Sequence, residues 1–181
     1  MFCRPDFDIK KYKDDRCIVG VFAGTGYEKE LVSELLWCKG QFDFEFGSEF
    51  HFFVPTFKRI EEAEEVDIFT KLSPPACDVI RSTYRLERKD LPCLVLDTLH
   101  EDDEHTVIRL GNLYEGDIGR LFAEMRDILN ELSDHSGTIR EFRLAFADEL
   151  FRRDRRDRFL RAASIAVDKI SSLGGLLTLG V

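Results

Sequence analysis

The chain has 181 residues and five cysteines, yet no two cysteines form a C-x-x-C pair. Cys3, Cys17, Cys38, Cys77 and Cys93 are odd in number and widely separated. That spacing argues against a disulfide framework and against a thiolate zinc site, and it suits free thiols in a reducing compartment. No uncharged apolar run approaches the ~18 residues a membrane-spanning helix needs. The opening Met-Phe-Cys-Arg-Pro-Asp-Phe-Asp lacks the basic-then-apolar pattern of a secretory signal. The cytoplasm is therefore the expected location. Basic charge is also scarce: 26 Lys and Arg face 35 Asp and Glu, for a net charge of −9. Indiscriminate nucleic-acid binding by the whole molecule is disfavoured on that ground. Internal repeats, a Walker-type phosphate loop and a nucleophile–base constellation are all missing, and no cofactor or resident metal is expected.

What is present is a globular composition, 44% hydrophobic and 34% charged. Sixteen phenylalanines against four tyrosines and one tryptophan point to an aromatic-rich core or interface. The charge is uneven. Residues 138–181 hold nine basic and six acidic side chains, a net of +3, so the acidic excess lies entirely before them.

Cys17-Ile-Val-Gly-Val-Phe-Ala-Gly24 is a continuous apolar run of strand length, which predicts a central strand buried on both faces. Gly24-Thr25-Gly26 breaks it, and a helix is expected from about Glu28 to Lys39, with Gly40 as its stop. Phe42-Asp-Phe-Glu-Phe46 alternates, as does part of Phe50-His-Phe-Phe-Val54, and the two, separated by Gly47-Ser48, read as either a hairpin or a bulged strand. Ser73-Pro74-Pro75 opens a helix running to about Arg88. Cys93 to Asp97 and Thr106 to Leu110 read as an antiparallel hairpin joined by the charged His100–His105 loop. Asp117 is expected to cap an amphipathic helix to about Leu132, with Ile118, Leu121, Phe122, Met125, Ile128 and Leu129 on one face. Residues 138–172 read as one or two long helices with Ile139, Phe142, Phe146, Leu150, Phe159 and Ile165 as an apolar stripe. The division expected is a lead-in at 1–16, a main domain at 17–137 and a helical extension with an apolar tail at 138–181.

This order of elements resembles the thioredoxin-like superfamily, an α/β class with a mixed sheet and flanking helices. The sharpest local match is Asp90-Leu91-Pro92-Cys93-Leu94-Val95-Leu96. It is similar to the segment in which that superfamily sets a cis proline ahead of its third core strand. Redox-active members carry their cysteine pair in the turn after the first core strand, where the helix N-terminus lowers a thiol pKa. Here that turn is Ala23-Gly-Thr-Gly-Tyr-Glu-Lys29, with no cysteine, so the resemblance implies a redox-inactive member. The Phe42–Pro55 segment also resembles uncharacterised bacterial thioredoxin-like proteins of defence loci, which would imply a role in antiviral defence or signalling.

Several residues stand out as candidates. Thr25, Tyr27, Leu91 and Pro92 would converge on a ligand groove, as in glutathione-binding relatives; the plainer reading of Gly24–Tyr27 is a tight turn. Cys77, in the first turn of a helix, sits where a thiolate is favoured, although Asp78 opposes it, and a packing or idle surface thiol is the plainer reading. His100-Glu-Asp-Asp-Glu-His105 gathers potential ligands, but consecutive residues cannot all face one ion, and a solvated hairpin tip is the plainer reading. Arg152, Arg153, Arg155, Arg156, Arg158 and Arg161 either pair with nearby acids on a solvated helix or grip a partner. Leu173, Leu176, Leu177, Leu179 and Val181 need cover from the domain, a second copy, a partner or a membrane.

Three functions follow. The first is a non-catalytic interaction module that assembles with itself or a protein partner through residues 138–181; contact with RNA or an anionic membrane is a lesser possibility for the arginines. The second is a small-ligand-binding enzyme using the groove beside Pro92. The third is a single-cysteine redox sensor at Cys77.

Overall fold

The computed structural model describes residues 1–3, 8–25, 28–59, 72–99, 104–110 and 118–156. Its central strand is β2, Ile18–Ala23, and every residue of it is buried, as the unbroken apolar run predicts. Ile18 and Phe22 face one side of the sheet, while Val19, Val21 and Ala23 face the other. Gly20 lies between the first two because a Cβ there would stand 2.9 Å from Leu94 Cδ1 and 2.9 Å from Phe50 Cζ. Strand β3, Phe50–Val54, runs parallel to β2; β4, Cys93–Asp97, runs antiparallel to β2 on its other side; β5, His105–Arg109, pairs antiparallel with β4. To this four-stranded mixed sheet the two residues of β1, Phe2–Cys3, add a short parallel edge, giving the order β1-β3-β2-β4-β5.

The helices correct the sequence reading in three places. Helix α1 spans Lys29–Trp37, and α2, Lys39–Phe46, follows almost directly, so Gly40 lies inside a helix and stops nothing. The segment expected as a strand at Phe42–Phe46 is that helix. Phe42 and Phe46 are four apart, share one face and are buried, whereas Phe44 is 91% exposed. Ion pairing of Lys39 with Asp43 at 2.8 Å and a Gln41–Glu45 hydrogen bond at 2.8 Å brace the same i,i+4 spacing. Helix α3, Pro74–Thr83, ends five residues before the expected Arg88. Arg85 takes φ +50°, its N–H donates to the carbonyl of Ser82, and the N–H of Leu86 donates to that of Arg81. This is a Schellman termination built without glycine. Ser73 occupies the N-cap with prolines behind it, but its side chain makes no capping bond. Helix α4, Ile118–Glu131, buries the six apolar residues expected of it; Asp117 lies outside the described residues, and Glu34 of α1 accepts the N–H of Ile118 at 2.9 Å.

The fifth helix, α5, covers 139–156. Its start is a capping box: the N–H of Thr138 donates to Glu141 at 2.7 Å and the N–H of Glu141 to Thr138 Oγ1 at 3.2 Å. Phe142, Phe146, Ala147 and Leu150 enter the same core as α1, α2 and α4, so this part of 138–181 is built into the domain. Arg143, 3% exposed, reaches past that core and donates to five main-chain carbonyls: Tyr12 at 2.6 Å, Asp15 at 2.8 Å, Cys17 and Thr98 at 2.9 Å, and Lys13 at 3.3 Å. Arg140 beside it donates through Nε and Nη2 to Glu104 at 2.9 and 2.7 Å, which fixes the helix to the β4–β5 hairpin.

The layers are unequal. One face of the sheet carries α1, α2, α4 and α5 over a cluster of rings. Phe42 lies 4.4 Å from Phe46 and 4.9 Å from Phe122, and Phe50 lies 5.6 Å from Phe42 and 5.7 Å from Phe146. The other face carries α3 and the 3-10 turn Lys10–Tyr12 over Val19, Val21, Phe53, Cys93 and Val95.

Candidate functional site

The turn after β2 begins at Gly24, where a Cβ would stand 2.9 Å from Leu72 and 3.0 Å from both Phe22 and Glu28. A larger residue there would have to displace these side-chain ends. The next residue, Thr25, donates its N–H to both carboxylate oxygens of Glu28 at 3.1 and 3.0 Å, and its hydroxyl donates to Oε1 at 2.6 Å. The first donors of this strand-to-helix turn are thus satisfied by the chain's own carboxylate. An anion approaching the start of α1 meets a negative charge already seated there. Sequence reasoning missed Glu28, although Thr25-Gly-Tyr-Glu28 carries the T-x-x-E signature that would have found it.

Pairing of Ala23 with Cys93 brings Gly24 and Pro92 to the same end of the sheet. The Leu91–Pro92 bond is cis, both residues are half-buried, and the Pro92 carbonyl accepts the N–H of Leu110 at 2.8 Å. Three of the four expected groove residues, Thr25, Leu91 and Pro92, therefore share one end of the fold. Tyr27 lies outside the described residues.

Cys17, Cys77 and Cys93 are buried and Cys38 is half-buried. Cys77 is 7% exposed on α3, and burial, partly offset by a hydrogen bond from the Gly24 backbone, pushes its pKa up to about 11. Desolvation thus opposes the thiolate that a first-turn position favours, and Glu28 and Asp78 oppose it further. Burial likewise pushes Cys93 up to about 12 and raises Cys17 and Cys38.

Of the expected partner-binding residues, four lie on α5. Arg152 pairs with Glu149 at 2.6 Å, and Arg153 bridges Glu149 at 3.0 Å and Glu131 at 2.7 Å, joining α5 to α4. Arg155 lies over the ring of half-exposed Phe151, 5.9 Å from its centroid, and Arg156 is exposed. Arg158, Arg161, Leu173, Leu176 and Leu177 lie outside the described residues, as does the loop from His100 to Asp103. The two described residues of that loop are engaged elsewhere: Glu104 with Arg140, and His105 edge-on to Tyr84 with centroids 5.1 Å apart. Tyr84 also donates to Asp97 at 2.6 Å, and burial, then Asp97, raises its pKa.

No protein-family model, curated protein or solved structure matches the chain. Among the described residues no helix is long and apolar enough to cross a membrane.

Proposed function

We propose that the protein is a thioredoxin-like module that has given up dithiol chemistry and acts by binding other macromolecules through its C-terminal region. The strand order carries this reading. A parallel β2–β3 pair next to an antiparallel β4–β5 hairpin, with α3 on one face of the sheet and the other helices opposite it, resembles the superfamily's arrangement, and Pro92 stands directly ahead of β4. Where a redox member holds its cysteines, this chain holds Thr25 closed on Glu28. The buried thiols, their pKa values raised, support a role other than thiol exchange. For the binding region, support comes from the end of α5, where Phe151, Arg155 and Arg156 are exposed just before Arg158, Arg161 and the sparsely charged apolar tail.

Affinity purification of the full chain against a version ending at residue 156 tests this. A protein partner retained by the first and lost by the second is the expected result. Identical interaction profiles, or catalytic reduction of an insulin disulfide by the purified protein, would sink the reading. The shared position of Thr25, Leu91 and Pro92 favours a second reading, a small-ligand groove. Under it a thiol compound raises the melting temperature of the protein and Thr25→Ala abolishes the rise.

A further inference from the structure

Helix α3 ends in a conformation that its sequence does not suit. Arg85 holds φ +50° in the Schellman turn, at the position where glycine carries no Cβ penalty. A residue with a Cβ kept in the left-handed region is strained, and such strain gathers where a side chain is used. Nothing within the fold uses this one. The Arg85 side chain is exposed, and among the described residues it has no ion pair, hydrogen bond or ring partner.

What Arg85 does line is an open depression of about 690 Å³ on the outer side of α3, shared with Asp78, Val79, Arg81, Ser82 and Leu86. Val79, 63% exposed, gives the depression an apolar contact point. Arg81 is half-exposed and loosely held, its guanidinium 3.5 Å from Asp78. Arg88 beyond them is exposed, and among the described residues no carboxylate meets it. Its neighbours Lys89 and Asp90 are already matched by Glu87 and Arg109. At and beside the depression, three guanidinia thus stand against the single carboxylate of Asp78, on a chain whose net charge is −9.

The donors select the ligand. Ser82 gives its hydroxyl proton to the Val79 carbonyl at 2.9 Å, which leaves the guanidinia to do the binding. Their forked N–H groups match a carboxylate with two parallel bonds. Asp78 in the same lining weighs more against a phosphate dianion or a nucleic-acid backbone than against a single carboxylate. We propose that this depression docks an acidic peptide segment of a partner protein, its carboxylates on Arg81 and Arg85 and an aliphatic side chain on Val79. Helix α3 and α5 cover opposite faces of the sheet, so the inference stands apart from binding by the C-terminal region.

The test is fluorescence anisotropy of labelled hexapeptides that alternate Glu or Asp with Leu, Ile or Val, titrated with the full chain as wild type, Arg81→Ala and Arg85→Gly. At least one peptide should bind with a Kd below about 100 μM and weaken at least about tenfold in each variant. Its binding should also vanish when its acids become Gln or Asn. Arg85→Gly separates use of the side chain from a structural role. Glycine suits the left-handed position, so the melting temperature should hold or rise while binding falls. An arginine that only balances the negative end of the helix dipole gives the opposite, a lower melting temperature with peptide binding unchanged. Should Arg85→Gly lose both, Arg81→Ala, on the exposed side of α3, decides alone. No peptide bound below that limit, binding that the folded variants leave intact, or an RNA oligonucleotide or inorganic phosphate bound in place of every peptide overturns the inference.

Discussion

The two faces of the sheet solve the same problem with different means. Among the described residues one is buried under four helices and filled with phenylalanine rings, Phe42 and Phe46 stacked at 4.4 Å and most of the others meeting edge to face with centroids 4.9–6.2 Å apart. Among the described residues the other carries one ten-residue helix and a 3-10 turn, and its borders are held by polar contacts: Tyr84 to Asp97, and the Tyr12 ring over His51 at 4.1 Å. Stability on the first face comes from a large cluster of buried apolar side chains and ring contacts. On the second it comes from a smaller buried cluster with directional contacts at its borders. Substitutions and solution conditions should therefore act on them differently.

The largest effect is expected at Phe50, whose ring touches those of Phe42, Phe46, Phe52 and Phe146. Phe50→Ala should cost roughly 3–5 kcal/mol in urea unfolding; a loss below about 1 kcal/mol would show that the rings repack freely and that the contrast is overdrawn. Next comes Gly20→Ala, which pushes a methyl against Leu94 and Phe50. A net loss of about 1–2 kcal/mol is expected after the strand's gain from losing glycine, and added stability would contradict the close approach. On the thin face, Tyr84→Phe removes the donor to Asp97 while Leu99 still donates to the other oxygen at 2.6 Å. About 1 kcal/mol should be lost, with little change in the unfolding slope.

The smallest effect is a pH dependence from His51. Burial first, then the amino terminus, holds its pKa below the ordinary 6.5. The unfolded chain then takes up the proton more readily than the folded one. Stability from this group is complete above about pH 6.5 and falls as the pH drops through the folded value. Melting curves from about pH 7.5 down to about pH 5.5 should decline less for His51→Phe than for the wild type; parallel curves would remove His51 from the account.

The parts of this fold that were legible in the sequence are those in which side chains alone decide. The run Ile18–Ala23 is apolar because both its faces are covered, and Cys93–Asp97 and Ile118–Glu131 carry equally direct patterns. The Phe42–Phe46 segment misled because phenylalanine at every second position also places two of them four apart. Burial of Phe42 and Phe46 beside a solvent-exposed Phe44 is a helical pattern with one stray ring. The candidate site was half legible. Leu91 and Pro92 announced themselves, whereas the closure of Thr25 by Glu28 needed the capping signature to be read. Arg143 left no mark at all, since its partners are main-chain carbonyls and every residue has one.

That cradle has a consequence for how the chain comes into being. The carbonyls of Tyr12, Lys13, Asp15 and Cys17 emerge from the ribosome early, and the guanidinium that gathers them follows more than 120 positions later, with separations of 126 to 131. Until Arg143 is out, the entrance to β2 and the turn at Thr98 lack their common donor. The amino-terminal segment of a nascent chain therefore waits, solvated and open, for nearly the whole described sequence to be made. A ribosome stalled before that codon should hold a chain whose first twenty residues remain open to protease.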